Sequence, residues 1–512
     1  SKNDADVRSL TKFSWNGEKQ MNWKKSRIIM SLMMLLILAG IGRIVYVDAT
    51  AAKDKVVLLK STTTADMIKT TESASEPEVT AVPATAAPEV TQTVTTVAPE
   101  VTQNVTTTLP DTTQAASTVI PEETQDVVST PLPKKKGKEI NAVWIYFDEM
   151  YQKAKTYTTW KNYIDRTFDT CKKKKMNTVI LQVRPFADAM YPSKYYPWSR
   201  YATGTAGKNP GFDPLKYAVS AAHKRGLYIQ AWVNPYRISS SSSSISKLPK
   251  SSIAYKWRKS KSASVRRRVL KLGNGLYFNP SSAQVQKLVA NGVKELVANY
   301  AIDGVHMDDY FYPELTKANY RKFDYKEYKA YKKKCRQKKI KARSLVNWRR
   351  ENVNKMVRGV YSVVKKTRKR CLFGISPAGN IENLYSKTAY YSPVKTWMNS
   401  DRYIDYVVPQ IYWSFTRKGS PYKKVVNEWT SIPKSNHVSL YIGLAGYRAG
   451  ISKKEAKVMQ DPGWAKSNTM LKRQVEYARK TNKVDGFYLF SYETLTRSSA
   501  KKEVKNLLKV LK

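Results

Sequence analysis

Residues 303–313 read DGVHMDDYFYP. A short apolar run, Gly304–Met307, ends in two carboxylates, three aromatics and a proline, the form of a β-strand that opens onto a polar rim. Side chains alternate along a strand, so His306 and Asp308 share one face and Met307 and Asp309 the other. With Val305 turned towards covering helices, Asp308 points into whatever the strand lines. Two neighbouring carboxylates repel each other unless a function or a positive partner holds them, which makes Asp308-Asp309 a site marker. One of the two could equally cap a loop or pair with Arg184 or Arg237.

The same pattern repeats on either side. Apolar runs at Ala142–Phe147, Thr178–Val183, Leu227–Val233, Leu372–Ile375, Tyr406–Pro409, Ser439–Gly443 and Gly486–Phe490 predict seven more strands. Amphipathic stretches such as Pro214–Arg225, Ala283–Asn299 and Ser344–Arg368 predict helices between them. Strands alternating with helices over 138–512 predict a (β/α)8 TIM barrel. A doubly wound nucleotide-binding sheet would want a glycine-rich turn after its first strand, and Asp148-Glu149 stands there instead.

A barrel of this kind carries its chemistry at the strand C-terminal ends. Those ends supply Asp148-Glu149, Gln182, Arg184, Asn234, Tyr236, Arg237, His306, Tyr310, Gln410, Tyr412, Trp413, Tyr447, Arg448, Tyr492 and Glu493. Carboxylates cleave a glycosidic bond, amides and guanidinium groups bind hydroxyls or carboxylates, and aromatics stack on sugar faces. Asp308 or Asp309 is the expected first catalytic carboxylate. Glu493 is the expected second, with Asp148 or Glu149 next, although Glu493 could also cap the helix that follows it. Arg184, Asn234, Tyr236, Arg237, His306, Tyr310, Gln410, Tyr412, Trp413 and Tyr492 are the expected substrate-binding set. Within that set His306 reads as a hydrogen-bonded residue of the barrel interior rather than a proton donor. Trp144, inside a strand, reads as core, and Asp188 and Asp213 as loop and helix-cap residues.

The chain has 512 residues and a formal net charge of +50. Between Lys69 and Lys134 there is no Lys or Arg, so the excess belongs to the C-terminal domain. Such a domain attracts polyanions. Two basic insertions, 239–272 and 314–343, would shape the groove or bind an anionic wall polymer, while single lysine runs such as Lys172–Lys175 are most simply solvated helix faces. No nucleic-acid recognition motif accompanies the charge. Cys171, Cys335 and Cys371 form neither a disulfide framework nor a zinc motif, and His223, His306 and His437 are too scattered for a metal cage. No metal and no cofactor is expected, and a metal-dependent deacetylase is disfavoured.

Ahead of the barrel, residues 1–27 form a short polar tail. Residues 28–47 are apolar apart from Arg43 and follow Lys24, Lys25 and Arg27. Twenty helical residues cover a hydrocarbon core of roughly 30 Å, and the basic flank predicts a cytoplasmic N-terminus with the bulk of the chain outside. A cleavable signal peptide ending near Ala49-Thr50-Ala51 is the alternative, and it also exports the domain. Residues 48–137 are rich in Thr, Pro and Ala and repeat APEVTQTVTTV as APEVTQNVTTT, which predicts a disordered, solvated stalk.

The barrel stretch is similar to the glycosyl hydrolase-like 10 family of bacterial barrel proteins. The resemblance rests on AVWIYF at 142–147, NTVILQVRPFADAMYPS at 177–193 and GFDPLKYAVSAAHKRGLYIQAWVNPYR at 211–237. It continues through YFNPSS at 277–282, DGVHMDDYFYP, ISPAGN at 375–380, DYVVPQIYW at 405–413 and GFYLFSYETL at 486–495. It implies a glycosidase barrel whose acidic signature after the fourth strand maps onto Asp308 and Asp309, and a polysaccharide substrate such as peptide-free peptidoglycan strands. Strand seven here ends in GLAGYRAG without a carboxylate, which leaves retention or inversion open. A non-catalytic glycan-binding barrel uses the same rim without a second acid and is the alternative function.

Overall fold

The structure, a computed structural model, describes residues 139–512. The expected tail, apolar anchor and stalk lie outside the described residues. Among the described residues no helix is long and apolar enough to cross a membrane.

The described residues form eleven strands: β1 Ile140–Ile145, β2 Thr178–Arg184, β3 Tyr228–Val233, β4 Arg237–Ser239, β5 Val269–Leu272, β6 Gly275–Phe278, β7 Gly304–Asp308, β8 Leu372–Ser376, β9 Tyr406–Val407, β10 Ser439–Leu444 and β11 Gly486–Phe490. Eight of them close a parallel barrel in the order β1-β11-β10-β9-β8-β7-β3-β2. The TIM-barrel fold expected from the alternation is therefore present. Helices Tyr157–Lys173, Pro214–Lys224, Ala283–Asn299 and Leu345–Thr367 lie on the strand-to-strand connections. Asp213 caps the second of these, accepting from the backbone N–H groups of Leu215 and Lys216 at 3.0 Å each, as its place before Pro214 suggests.

Alternation along the strands divides the core in two. Val179, Leu181, Val305 and Met307 face outward onto the helices. Trp144, Ile180, Trp232, Tyr406, Tyr441 and Tyr488 fill the interior. Gly374 on β8 makes room for this filling: a Cβ there would stand 2.2 Å from the ring of Tyr406.

The N-terminal rim is pinned by a repeated device. The side chains of Asn177, Asp303, Asp405 and Asp485, each just before a strand, accept from the backbone N–H groups of Asn141, Ile229, Phe373 and Leu440 on adjoining strands, at 2.7–3.0 Å. Each bond satisfies a strand-end donor that the parallel ladder leaves open. Polar groups at this end hold the barrel shut; those at the other end are free for chemistry.

The two expected insertions sit between β3 and β7 and between β7 and β8. The first folds into an antiparallel sheet, β4-β6-β5, with helices Ile253–Lys259 and Ala263–Arg266. The second carries helix Tyr325–Gln337. The two are joined by Arg267, whose guanidinium binds Glu327 with its Nη2 at 2.7 Å from Oε2. A buried ion pair fixes the second insertion to the barrel: Arg349 donates to Asp324 at 2.5 Å, to the hydroxyl of Tyr391 at 2.8 Å and to the carbonyl of Tyr320 at 2.7 Å.

Candidate active site

A pocket opens at the C-terminal end of the barrel strands. Its walls are aromatic (Trp144, Tyr146, Trp232, Tyr310, Tyr412, Phe490), and its polar groups come from Gln182, Asn234, Arg237, Asp308, Ser376 and Gln410. Counting its open mouth it holds about 460 Å³. Aromatic walls with few polar groups are the usual make-up of a site for a small, partly apolar ligand such as a sugar ring.

Asp308 ends β7 and faces this pocket. Its carboxylate accepts from the indole N–H of Trp232 on β3 at 3.2 Å and from the backbone N–H of Tyr310 at 3.2 Å. Burial raises its pKa to about 6, opposed by the Arg237 guanidinium and by these two donors. Asp309 is also buried, outside the pocket lining, and accepts from the backbone N–H of Ala378. Burial, and then the neighbouring charge of Asp308, raise its pKa to about 8. Near neutrality the pair thus holds one charge on Asp308 and one proton on Asp309.

Arg237 begins β4 and lies with its guanidinium carbon 3.7 Å from the centroid of the Tyr310 ring. Burial works against its charge, but Tyr310 and Asp308 outweigh it and its pKa is raised. Gln182 donates to Asn234 at 3.3 Å and accepts from the backbone of Phe147 at 3.1 Å; Gln410 donates to the carbonyl of Ser376 at 2.9 Å. These bonds fix amide groups around the pocket, ready to meet hydroxyls.

Beneath the pocket the interior forms a closed hydrogen-bond chain. The Trp144 indole, which can only donate, binds His306 Nε2 at 3.1 Å. His306 therefore carries its proton on Nδ1 and donates it to Tyr406 at 3.0 Å, and Tyr406 donates to Gln230 at 2.8 Å. Burial lowers the His306 pKa to about 3. The ring stays neutral and supports the pocket floor.

The structure gathers six of the expected site residues around the pocket: Asn234, Arg237, Asp308, Tyr310, Gln410 and Tyr412. The others it places elsewhere. Arg184 is fully buried with its guanidinium carbon 4.3 Å from the Tyr196 ring, beside Gly292 of the outer helix. The register of β2 against β3 slips between Gln182 and Arg184, so the alternation that would have turned Arg184 inward is broken. Tyr236 is buried in the outer core, His306 lies below the pocket, and Trp413 and Tyr492 pack against the outer core.

Glu493 is exposed at the start of helix Glu493–Thr496 and is not among the residues that line the pocket. Its backbone N–H instead donates at 2.8 Å to Glu149, which also accepts from the Ser491 hydroxyl at 2.7 Å. Burial raises the Glu149 carboxyl to about 8, and the group clasps the loop after β1 to the loop after β11. Asp188 accepts from the backbone of Phe186 at 3.1 Å within its loop.

Sequence reasoning missed Trp144 and Trp232 as pocket walls. The signal was present: each shares strand parity with inward residues (Ala142 for Trp144, Gln230 for Trp232), and a large aromatic near a strand's C-terminal end is both filling and floor. Among the described residues no group of three or more His, Cys, Asp or Glu side chains converges as metal ligands would.

Residues 139–466 match the model of the family described as Glycosyl hydrolase-like 10. The glycosyl hydrolase YngK of Bacillus subtilis is 33% identical over 400 residues, covering 73% of this chain and 72% of that protein. The glycosyl hydrolase DigH of Escherichia coli is 32% identical over 346 residues, covering 65% of this chain and 75% of that protein. Among solved structures, the glycoside hydrolase domain of PgaB from Bordetella bronchiseptica superposes with a TM-score of 0.46 at 12% identity, over 72% of this chain and 99% of that one. By the extent of its match and the level of identity, this chain belongs to the glycosyl hydrolase-like 10 family.

Proposed function

We propose that the protein is an extracellular, membrane-tethered glycoside hydrolase that cuts O-glycosidic bonds in a cell-wall or surface polysaccharide. Peptide-free peptidoglycan strands are the first substrate to test. The observation that carries this reading is Asp308, a carboxylate at the end of a barrel strand that faces an aromatic-walled pocket in a chain of this family. A sugar ring stacks on the aromatic walls, and Arg237, Asn234 and Gln410 bind its substituents. Asp308 stabilises the positive charge that develops at the anomeric carbon as the glycosidic bond breaks. Asp309, buried behind the pocket lining, keeps its proton near neutrality and so limits the pair to a single charge. The export half of the reading rests on residues 1–47 and their basic flank.

A second reading, a glycan-binding barrel without turnover, is favoured by one observation. Among the described residues, Asp308 is the only carboxylate among the side chains that line the pocket. Incubating the purified protein with peptide-free and peptide-bearing strands and following released fragments by mass spectrometry separates the two. New saccharide ends that vanish in Asp308→Asn establish the hydrolase. Intact strands that co-sediment with the protein establish the binding barrel.

A further inference from the structure

We propose that the insertions after β3 and β7 form a cationic docking surface, which holds an anionic polysaccharide strand beyond the sugar bound in the pocket. The proposal rests on the glycan reading of the pocket and adds that the substrate is charged along its length.

Three observations meet here. First, both insertions leave the pocket itself. The first starts at Arg237 and the second follows Tyr310, two residues that line it. They are tied to each other by Arg267 and Glu327.

Second, that surface carries almost no exposed negative charge. Residues 239–272 contain no Asp or Glu, and in 314–343 every exposed charged side chain other than Glu314 is Lys or Arg. The remaining acids are already neutralised, Asp324 by the buried Arg349 and Glu327 by Arg267.

Third, helix Tyr325–Gln337 is organised. Tyr328 and Tyr331 pack on Trp348 at 5.4 and 6.0 Å, and Cys335 is buried. That seats one face on the barrel. Lys326, Lys329, Lys333 and Arg336 are all exposed and recur at helical spacing, a stripe about 15 Å long at 1.5 Å per residue.

On other helices some exposed lysines are balanced by acids one turn on: Lys161–Asp165, Lys424–Glu428 and Lys472–Glu476 are i,i+4 pairs. Among the described residues no carboxylate pairs with the stripe, and its like charges repel until a polyanion covers them. A strand that leaves an aromatic, amide-lined pocket and crosses this surface is a polysaccharide with anionic groups. The lactyl carboxylates of a peptide-free peptidoglycan strand are of this chemistry.

The test is the affinity of the Asp308→Asn protein, which leaves strands uncut, for fluorescent peptide-free peptidoglycan strands, measured by anisotropy. It compares native strands with strands whose carboxyl groups are reduced to alcohols. It also compares the parent with a fourfold variant, Lys326→Gln, Lys329→Gln, Lys333→Gln and Arg336→Gln, shown by thermal melting to be folded. Reduction of the strands and the fourfold change should each weaken binding about tenfold. Either should also remove most of the loss of affinity seen between 50 and 200 mM salt, since ion release drives it. Equal affinity for native and reduced strands overturns the proposal, as does an unchanged fourfold variant. Capture of polyphosphate or of anionic vesicles through the stripe, with strands unaffected, overturns it in favour of a separate polyanion. Absence of cleavage by the unmutated protein sinks the hydrolase reading and leaves this binding comparison readable.

Discussion

The indole N–H of Trp232 on β3 donates to the carboxylate of Asp308 on the adjoining strand β7 across 3.2 Å. The same ring forms part of the pocket wall. One side chain therefore does two things: it offers a face to a ligand and stabilises the charged form of the carboxylate beside it. A hydrogen bond to the ionised form lowers a pKa, so Trp232 opposes the burial that pushes Asp308 up.

Trp232→Phe keeps an aromatic wall and removes the donor. If Asp308 acts as a carboxylate, the acid limb of kcat/KM should move up by about half a unit to one unit, with activity at pH 6 falling about two- to fivefold and activity at pH 7.5 much less. A pH profile of both proteins on one glycan substrate checks this. An unmoved acid limb would show that the indole does not act through Asp308.

The Asp308-Asp309 pair fixes the expected shape of that profile. Activity should rise as Asp308 loses its proton near pH 6 and fall as Asp309 loses its own near pH 8, a bell with its maximum close to neutrality. Asp309→Asn keeps the site neutral at that position and should remove the alkaline limb while lowering the maximum. Asp308→Asn should lower turnover about a thousandfold at every pH. A profile flat between pH 5 and 9 would separate the pair from the rate-limiting step.

The same burial has a consequence for stability. Folding raises the pKa of Asp308 to about 6, above an unfolded value of about 3.9, so the folded state binds this proton more tightly. Stability contributed by the protonated carboxyl is full below about pH 4 and is lost as pH rises through 6; Asp309 extends the loss to about 8. Asp308→Asn and Asp309→Asn should therefore raise the melting temperature by about 2–5 °C at pH 7.5 and by less than about 1 °C at pH 4. Calorimetry at the two pH values measures it. A variant less stable than the parent at pH 7.5 would mean that the carboxylate is better satisfied than its burial indicates.

How much of this was legible in the chain follows from what each reading depended on. Strand Gly486–Phe490 and helix Ala283–Asn299 were bounded correctly from hydrophobic period alone, because the strand is an almost continuous buried run and the helix buries one face while exposing the other. Asp308 was placed by parity from Val305, and the same rule failed at Arg184, where the register of β2 slips. Glu493 was read from its position after β11; nothing local reveals that Glu149 reaches across to take that loop's backbone N–H. The sheet β4-β6-β5 was hidden because its strands are short: β5 and β6 form a tight hairpin of four-residue strands, and β4 reaches its partner from some forty residues earlier. Arg237 pairs with Tyr277, and Leu270 with the same residue.

The buried pair Asp324–Arg349 gives the sharpest expectation for stability. Both side chains are fully buried, and the guanidinium is further bound by Tyr391 and the carbonyl of Tyr320. Removing the carboxylate leaves a charge in the core that cannot be neutralised by losing a proton, since arginine stays charged at any accessible pH. Asp324→Ala should therefore cost about 3–5 kcal/mol. Replacing both residues, Asp324→Leu with Arg349→Met, should recover much of that loss, because two apolar groups need no solvation in the core. Urea unfolding of the three proteins reads the difference, and a protease digest reads where it acts. The insertion 314–343 should be cut first in Asp324→Ala, since this pair is what seats it on the barrel. Equal stability of the single and double variants would mean that the pair's polar contacts, rather than its uncompensated charge, carry the stabilisation.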